Sequence, residues 1–567
     1  MLQRQYAHYF QDYRALLPYS LLGLIAGVCS ALAVMGFEGL IRFIGSAWLT
    51  SSPDGFEALP DWQRFAIPVA GAMALGLVFS LLRPEDREVG IVHVISRMHS
   101  HYGQLPLRNA LVQFIGGAIA LASGQSGGRE GPSVHLGAAI SSSIARGLRL
   151  PNNSQRILIA CGTAGSIAAA FNTPLAGVVF AMEVIVTEYT VVGFTPVILA
   201  AISATTVHHV FDRASTTFVV PAVEMASLLE LPFILLLGVI AGVVISLFTM
   251  LVRRGLSFAR YPIFLRFTVA GVITGSLGVV VPEVLGMGYD SLNLALTGQL
   301  APTLLATLIV VKVIATACSV GLGLPVGLIG PSLLIGGCIG GFLGYWGAVM
   351  VPDFSSHPSL YVVIGMGAAM AAVLNAPLAA LLAIVELTQN VLAVFPSMLA
   401  IIAATLTVTV VFRQRSAHQA VLNDLRREIP DDPISQLLHQ TAVLSAMDRS
   451  ISTQACWFEK QAMADIELSN WCLLSREEER LFLVRGDDIS QLVSQIDEDA
   501  YDLTEHDLRR WTFTTLSSRA TLREALDALR AENAEAVIIT DPRVPGELGV
   551  LGVITRDIID QFYLRRF

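Results

Sequence analysis

The segment Gly128-Arg129-Glu130-Gly131-Pro132-Ser133 sets a charged pair between glycines inside an otherwise apolar stretch, directly before an uncharged helix-like run. A charge within a membrane helix is costly, so ionisable residues at that depth line a pathway or a water-filled cavity and do not face lipid. A second break, Gly327-Leu328-Ile329-Gly330-Pro331-Ser332-Leu333-Leu334-Ile335-Gly336, follows roughly 200 residues later and has the same Gly-Pro-Ser core. Two breaks at matched places are the spacing expected of paired broken helices in a duplicated transporter fold.

The rest of the chain supports that setting. Of 567 residues, 54% are hydrophobic and 14% charged. The mean hydropathy of +0.63 is too high for an average soluble domain. A polytopic membrane protein is predicted, with the lipid bilayer as its surroundings. Apolar runs near residues 16–43, 65–82, 110–122, 191–210, 231–252, 267–281, 304–320, 333–349, 361–374 and 397–412 are the candidate spans. Several fall short of the roughly 20 residues a simple crossing needs. Short, Gly- and Pro-interrupted helices are tolerable at membrane depth only where protein or a cavity covers the broken backbone, which favours a transporter or channel over a receptor.

The N-terminus lacks the ordered features of a cleaved signal, so the first span is expected to stay. Arg4 and Arg14 precede it, and Arg253 and Arg254 follow another span, which favours a cytoplasmic N-terminus. Six cysteines without a Cys-x-x-Cys spacing read as packing residues, with no disulfide and no metal site expected. The net charge of -9 reflects acidic residues gathered after about Arg413. It does not predict which ion passes, because backbone N–H groups and helix N-termini suffice to hold an anion. Neither an enzymatic activity nor a nucleic-acid partner is expected.

An internal repeat sharpens the reading. Residues 162–184, GTAGSIAAAFNTPLAGVVFAMEV, align without gaps to residues 365–387, GMGAAMAAVLNAPLAALLAIVEL, sharing Asn-x-Pro-Leu-Ala and a late glutamate. With the Gly-Pro-Ser pair at nearly the same offset, two homologous halves follow, about 16–215 and 225–425, with a site between them. From about Ala417 the chain turns polar. Leu522, Ala525, Leu526 and Leu529 form a helical stripe, 536–540 and 549–554 read as strands, and 557–562 as a helix. A weaker unit precedes these, with strands at 471–474 and 480–484 and a helix at 487–496, so residues 426–567 read as a cytosolic α+β module.

At this point the motifs have a family likeness. Gly128-Arg129-Glu130-Gly131-Pro132 resembles the signature of the CLC family of chloride channels and chloride/proton antiporters, and Gly327 to Gly336 is similar to its second anion-binding motif. Phe171-Asn172-Thr173-Pro174-Leu175-Ala176-Gly177 matches as well. The resemblance covers about residues 16–425, and the tail is similar to the pair of CBS domains on many members. It implies an all-α inverted-repeat membrane domain of about 18 helices over 1–425, with one pore per protomer, in a homodimer. It further implies a bacterial inner-membrane protein whose N-terminus and tandem CBS tail (426–567) are cytoplasmic. Glu130 then corresponds to the gating glutamate, whose carboxylate competes with chloride and withdraws when protonated. The amides around Gly131, Leu328 and Ile329 correspond to anion sites. Arg129 reads as a structural charge partner.

Three positions depart from the family pattern. Its first chloride-binding segment falls on Glu88-Val89-Gly90-Ile91-Val92, so Val89 replaces a serine hydroxyl donor, the amides of Gly90 and Ile91 remain, and Glu88 brings a repulsive charge unless turned away or protonated. The inner-gate tyrosine aligns around Arg415-Ser416-Ala417-His418. Ser416 is the candidate replacement, with a helix N-cap as its ordinary role, and His418 reads as a solvated interfacial residue. The inner proton-transfer glutamate falls on Val184, which cannot relay a proton. Glu183 and its repeat mate Glu386 read as acceptors for broken-helix amides. His135 is an alternative proton carrier, its ordinary role being a polar tie between helices.

The expectation is therefore chloride transport through a glutamate-gated pore, with channel-like conduction favoured over chloride/proton exchange by a non-standard proton route. Fluoride export is disfavoured. A nucleotide-sensing membrane protein with low flux is the alternative from another class, because an adenine nucleotide could meet Thr555 and Asp557 in the tail. Truncation after about Asp424 would separate the two classes.

Overall fold

The computed structural model describes residues 16–49, 54–100, 103–187, 191–211, 218, 220, 225–351, 356–425, 438, 441–459, 469–476, 480–493, 500–503, 506–542 and 549–564. Two compact units result. One comprises Arg14–Leu148 with Gln155–Ile429, and the other groups Arg149–Ser154 with Pro430–Phe567 and the first thirteen residues. The expected boundaries near 215 and 426 lie outside the described residues.

The larger unit contains seventeen α-helices among its described residues. The first half holds α1 (Leu16–Gly45), α2 (Asp61–Leu81), α3 (Gly90–Ser100), α4 (Leu107–Ala122), α5 (Glu130–Gly147), α6 (Asn152–Phe171), α7 (Pro174–Phe180) and α8 (Val191–Phe211). The second holds α9 (Leu231–Leu256), α10 (Ile263–Val280), α11 (Tyr289–Leu296), α12 (Pro302–Gly321), α13 (Ile329–Met350), α14 (Pro358–Leu374), α15 (Pro377–Thr388), α16 (Val394–Leu406) and α17 (Ala417–Asp424). Eight helical segments are long and apolar enough to cross a membrane, and four more are apolar but shorter. All ten apolar runs of the sequence fall in helices. A multi-pass, predominantly helical membrane domain results.

Duplication is visible in the packing. Glycines four apart let two helices touch backbone to backbone, and van der Waals contact of this kind drives association where lipid offers no hydrophobic gain. Gly23 and Gly27 of α1 meet the carbonyls of Pro196 and Ala200 on α8, while Gly238 and Gly242 of α9 meet those of Ala400 and Ala404 on α16. Gly137 of α5 abuts the carbonyl of Gly162, and its counterpart Gly336 of α13 abuts that of Gly365. Asn172 and Asn375, the repeated asparagines, both take the left-handed conformation, with φ of 59° and 53°. Asparagine tolerates that region better than most residues, and each following proline then opens a helix.

The smaller unit carries two three-stranded sheets of the same design. In one, β1 (Ile451–Ala455) runs parallel to β3 (Trp471–Arg476), which is antiparallel to β4 (Arg480–Arg485). In the other, β6 (Phe513–Ser517) runs parallel to β7 (Ala536–Thr540), which is antiparallel to β8 (Val550–Thr555). β2 (Trp457–Glu459) pairs with β5 (Ala500–Asp502). The helices are α18 (Gly486–Val493), α19 (Leu522–Ala531) and α20 (Arg556–Leu564). α18 covers most of the helix predicted at 487–496, whose last three residues lie outside the described ones. Leu522, Ala525 and Leu529 are buried as the stripe requires. This is a small α/β region of the kind a CBS module has. The strands β1 and β6 had no sequence signal, because both are rich in Ser and Thr and lack apolar alternation.

Thr521 caps α19, accepting the Glu524 amide on its hydroxyl. In the same unit, Asn152 Nδ2 donates to both carboxylate oxygens of Glu524, at 2.8 and 3.0 Å. Burial outweighs these donors and pushes the Glu524 carboxyl up to about 7 from its usual 4.5. A raised carboxyl favours the folded state when protonated. Its contribution is full below about 4.5 and is lost as pH rises through about 7.

Two outcomes are expected. The amides of α19 should exchange more slowly at pH 5 than at pH 8 after correction for intrinsic rates, and Glu524→Gln should remove that difference. In the membrane unit, Gly336→Ala places a methyl 2.1 Å from the Gly365 carbonyl, whereas Gly39→Ala meets nothing within 4 Å. Gly336→Ala should cost about 1–3 kcal/mol in detergent unfolding; Gly39→Ala should be near neutral.

Candidate functional site

The two sequence breaks meet. Gly128 N–H donates to the Gly327 carbonyl at 2.8 Å, and Gly327 N–H donates back to Gly128 at 2.7 Å. This antiparallel bridge joins the residues that lead into α5 and α13. A Cβ on Gly131 would lie 3.0 Å from the Gly327 Cα, and one on Gly327 would lie 2.8 Å from the Gly131 nitrogen. Glycine is required at both places because backbone faces backbone. The first-turn N–H groups of α5 and α13 are thereby brought to one buried place, where both helix dipoles favour a negative charge.

A negative charge is built in. Glu130 is fully buried and reaches from α5 to α13, where its Oε2 accepts the Gly330 amide at 3.1 Å. The Tyr289 hydroxyl donates to its Oε1. Arg129 is directed elsewhere. Its guanidinium pairs with Glu38 at 3.0 Å, donates to the Ala170 carbonyl at 2.7 Å and lies 5.4 Å from the centre of the Tyr289 ring. Arg129 thus ties α5 to α1 and α6, and Glu130 is bound by donors from the other half of the chain.

Tyr289 is held by a loop that two buried charges pin. Asp54 accepts the amides of Met287 at 2.9 Å and Tyr289 at 3.0 Å. Lys312 Nζ donates to the carbonyls of Val284 and Gly286, both at 3.0 Å. Gly286 N–H in turn donates to Gly124, just ahead of the first break. Phe171 and Phe218 pack against the Tyr289 ring at 6.4 and 5.5 Å between centroids.

Other residues singled out in the sequence lie around this seat. Leu328 and Ile329 are buried at the start of α13. Val89 and Gly90 lead into α3, with Ile91 buried and Gly90 at φ 79°. Gln113 lies beside Gly90 and donates to the Pro325 carbonyl at 2.9 Å, linking the start of α3 to the approach of the second break. The Glu88 carboxylate is turned toward His93, with Oε2 3.9 Å from Nε2. Ser416 caps α17, accepting the Gln419 amide at 3.2 Å. His418 corrects its expectation of a solvated residue: it is buried, because α17 packs against α3 and α9. Val184 is buried in a π-helical turn, Ala181–Val186.

Within that turn Glu183 accepts the amides of Leu378 and Ala379 at 3.4 and 2.8 Å, while Glu386 accepts those of Leu175 and Ala176 at 2.9 and 2.8 Å. Each repeat thus caps the broken helix of the other. In the smaller unit, Thr555 is buried at the end of β8 and Asp557 is exposed in the first turn of α20.

Sequence reasoning passed over Tyr289, Asp54, Lys312 and Glu38. Lys312 and Glu38 had a usable signal, Lys312 as the lone charge of an apolar helix and Glu38 as the one acid of another that also carries Arg42. Tyr289 had only the preceding Gly286-Met287-Gly288. Because Asp54 and Lys312 hold one loop through opposite hydrogen-bond types, Lys312→Met should destabilise the protein by about 3 kcal/mol or more. Combining it with Asp54→Asn should cost less than the sum of the single changes, as a double-mutant cycle of detergent unfolding would measure.

Residues 70–409 match the voltage-gated chloride channel family. A protein of Ralstonia nicotianae, provisionally named a chloride channel protein and ClcB-like, is 34% identical over 68% of this chain and 92% of its own length. The H(+)/Cl(-) exchange transporter ClcA of Vibrio cholerae serotype O1 is 30% identical over 75% of this chain and 90% of its own. Among solved structures, a slow cyanobacterial Cl-/H+ antiporter shares the fold with a TM-score of 0.64 at 21% identity, over 72% of this chain and 97% of that one. A eukaryotic CLC transporter matches over 96% of this chain and 98% of its own, with a TM-score of 0.58 at 20% identity.

Proposed function

This chain belongs to the voltage-gated chloride channel family, a membrane transport family and not an enzyme family, and from that premise we propose that it exchanges chloride for protons. The carrying observation is the Glu130 carboxylate seated on the Gly330 amide of the opposite half. An ionised carboxylate there is a tethered anion on an anion site. Charge-assisted hydrogen bonds are roughly twice as strong as neutral ones, so protonation weakens its hold and frees the amides for chloride. Rebinding of the deprotonated carboxylate displaces chloride again. Alternation of the two anions at one site links proton uptake to chloride movement.

This reading reverses the order of preference drawn from the sequence. Val184 favoured passive conduction, whereas relatives named H(+)/Cl(-) exchange transporters, together with an intact Glu130 seat, favour exchange. Passive conduction is the second reading, carried by Val184.

In the proposed pathway, the N–H groups around Gly131, Leu328 and Ile329 hold chloride at the level of the gate. Those of Gly90 and Ile91, behind Val89, form an inner site without a hydroxyl donor. Ser416, engaged as an N-cap, contributes stability to α17 and leaves the inner entrance without a phenolic gate. The protein is proposed to act as a homodimer in a bacterial inner membrane, with the N-terminus and a tandem CBS tail cytoplasmic. An adenine nucleotide at Thr555 and Asp557 is not part of the reading; the Thr555 hydroxyl accepts the Ile558 amide at 3.4 Å.

The test is chloride efflux from liposomes with external pH recorded simultaneously. The intact protein is expected to move protons against chloride, and Glu130→Gln to abolish proton movement while chloride still passes. Chloride flux without proton movement in the intact protein would support the passive reading instead.

A further inference from the structure

Resting on the exchange reading, we propose that His93 and His135 are a proton relay between Glu130 and the solvent-facing carboxylate of Glu88. Such exchange needs a route for protons, and valine at position 184 offers none. His93 of α3 and His135 of α5 are both buried, at 2% and 0% exposure, and His93 Nδ1 lies 2.9 Å from His135 Nε2.

Their hydrogen positions follow from one neighbour. Arg97 Nε donates to His93 Nε2 at 3.2 Å, and an arginine keeps its hydrogens, so Nε2 is the acceptor. In the neutral ring the hydrogen then sits on His93 Nδ1, which donates to His135 Nε2. The His135 hydrogen is consequently on Nδ1. That buried nitrogen has no hydrogen-bond partner among the described residues. A buried donor without an acceptor is costly, and such a group calls for a specific explanation. A transferable hydrogen supplies it.

At the other end, Glu88 Oε2 lies 3.9 Å from His93 Nε2, and its side chain is 33% exposed. Two imidazoles therefore connect a carboxylate that reaches water to the helix that carries the gate. His135 stands five residues beyond Glu130 on α5, a rise of about 7.5 Å along the helix, and the proposed relay crosses that gap through water. In one transfer, the Glu88 carboxyl gives its proton to His93 Nε2 as Arg97 yields. His93 Nδ1 passes its proton to His135 Nε2, and His135 Nδ1 releases one through water to the Glu130 carboxylate. One proton enters, one leaves, and both rings end as the opposite neutral tautomers, which ring rotation resets. The reverse sequence carries protons the other way.

Two carboxylates on neighbouring elements are engaged elsewhere. Glu38 on α1 pairs with Arg129, and Glu183 in the π-turn holds the Leu378 and Ala379 amides. His418 on α17, which packs against α3, is buried, and Arg108 lies on α4, which packs against α5. Arg97 and Glu88 touch the pair directly.

A purely structural histidine tie makes a different prediction from a relay, and the proton-to-chloride flux ratio separates them. His93→Gln and His135→Gln keep a polar side chain of similar reach but carry no titratable proton. Each should retain chloride flux in liposomes while the ratio falls at least about tenfold. An unchanged ratio in either variant, including a proportional loss of both fluxes, would overturn the relay. If the intact protein moves chloride without protons, the exchange reading itself fails, which is a separate outcome.

Discussion

Two hydrogen bonds between Gly128 and Gly327 fix the place where the halves of the membrane unit converge. They join backbone to backbone, so they tolerate no side chain at Gly131 or Gly327, and they bring the first turns of α5 and α13 together. A helix in an apolar medium must satisfy its backbone internally, yet its first four N–H groups have no intrahelical partner. Burying two such ends side by side is unfavourable unless an anion neutralises them. The carboxylate of Glu130 fills that need from within the chain, and in the proposed exchange a free anion fills it when the carboxylate leaves.

The commitments of the surrounding charges support the proposal that Glu130 is the exchangeable one. Arg129, its sequence neighbour, is committed to Glu38 and to the Ala170 carbonyl. Asp54 and Lys312 are committed to opposite groups of the loop that carries Tyr289. Glu183 and Glu386 are committed to each other's helix starts across the repeat. Each of these charges binds at least one backbone group. Glu130 is held by a hydroxyl, which can rotate, and by the Gly330 amide, which an incoming anion can take over. Its binding is the replaceable kind.

Much of this was readable in the sequence where geometry and composition leave one choice. The glycines of both breaks, the Asn-x-Pro repeat and the ten apolar runs each correspond to a structural element, because close backbone approach, left-handed turns and lipid contact each demand particular residue types. Less was legible where a contact joins distant segments of ordinary composition. Asp54 lies in a loop whose sequence carries no motif, and its partners are more than 230 residues away. His418 looked polar and terminal, yet helix packing buries it. The Ser- and Thr-rich strands β1 and β6 gain their order from neighbours, which tertiary pairing supplies and local pattern does not.

The departures from the family pattern are concentrated around one element. Val89 stands at the start of α3, Val184 sits in a π-turn packed against α3, and Ser416 caps α17, which also packs against it. His93 and Arg97 belong to α3 itself, and Glu88 immediately precedes it. By contrast, the seat formed by Gly128, Glu130, Gly327 and Gly330 keeps its motif. Three neutral residues gathered around α3, at places where the family resemblance expects a hydroxyl, an acid and a phenol, stand beside a buried imidazole pair that α3 shares with α5. The proposed gate can keep one chemistry because one of its two ligands, the Gly330 amide, is a backbone group that substitution does not alter. The approach to it is lined by side chains, and it is there that this chain differs.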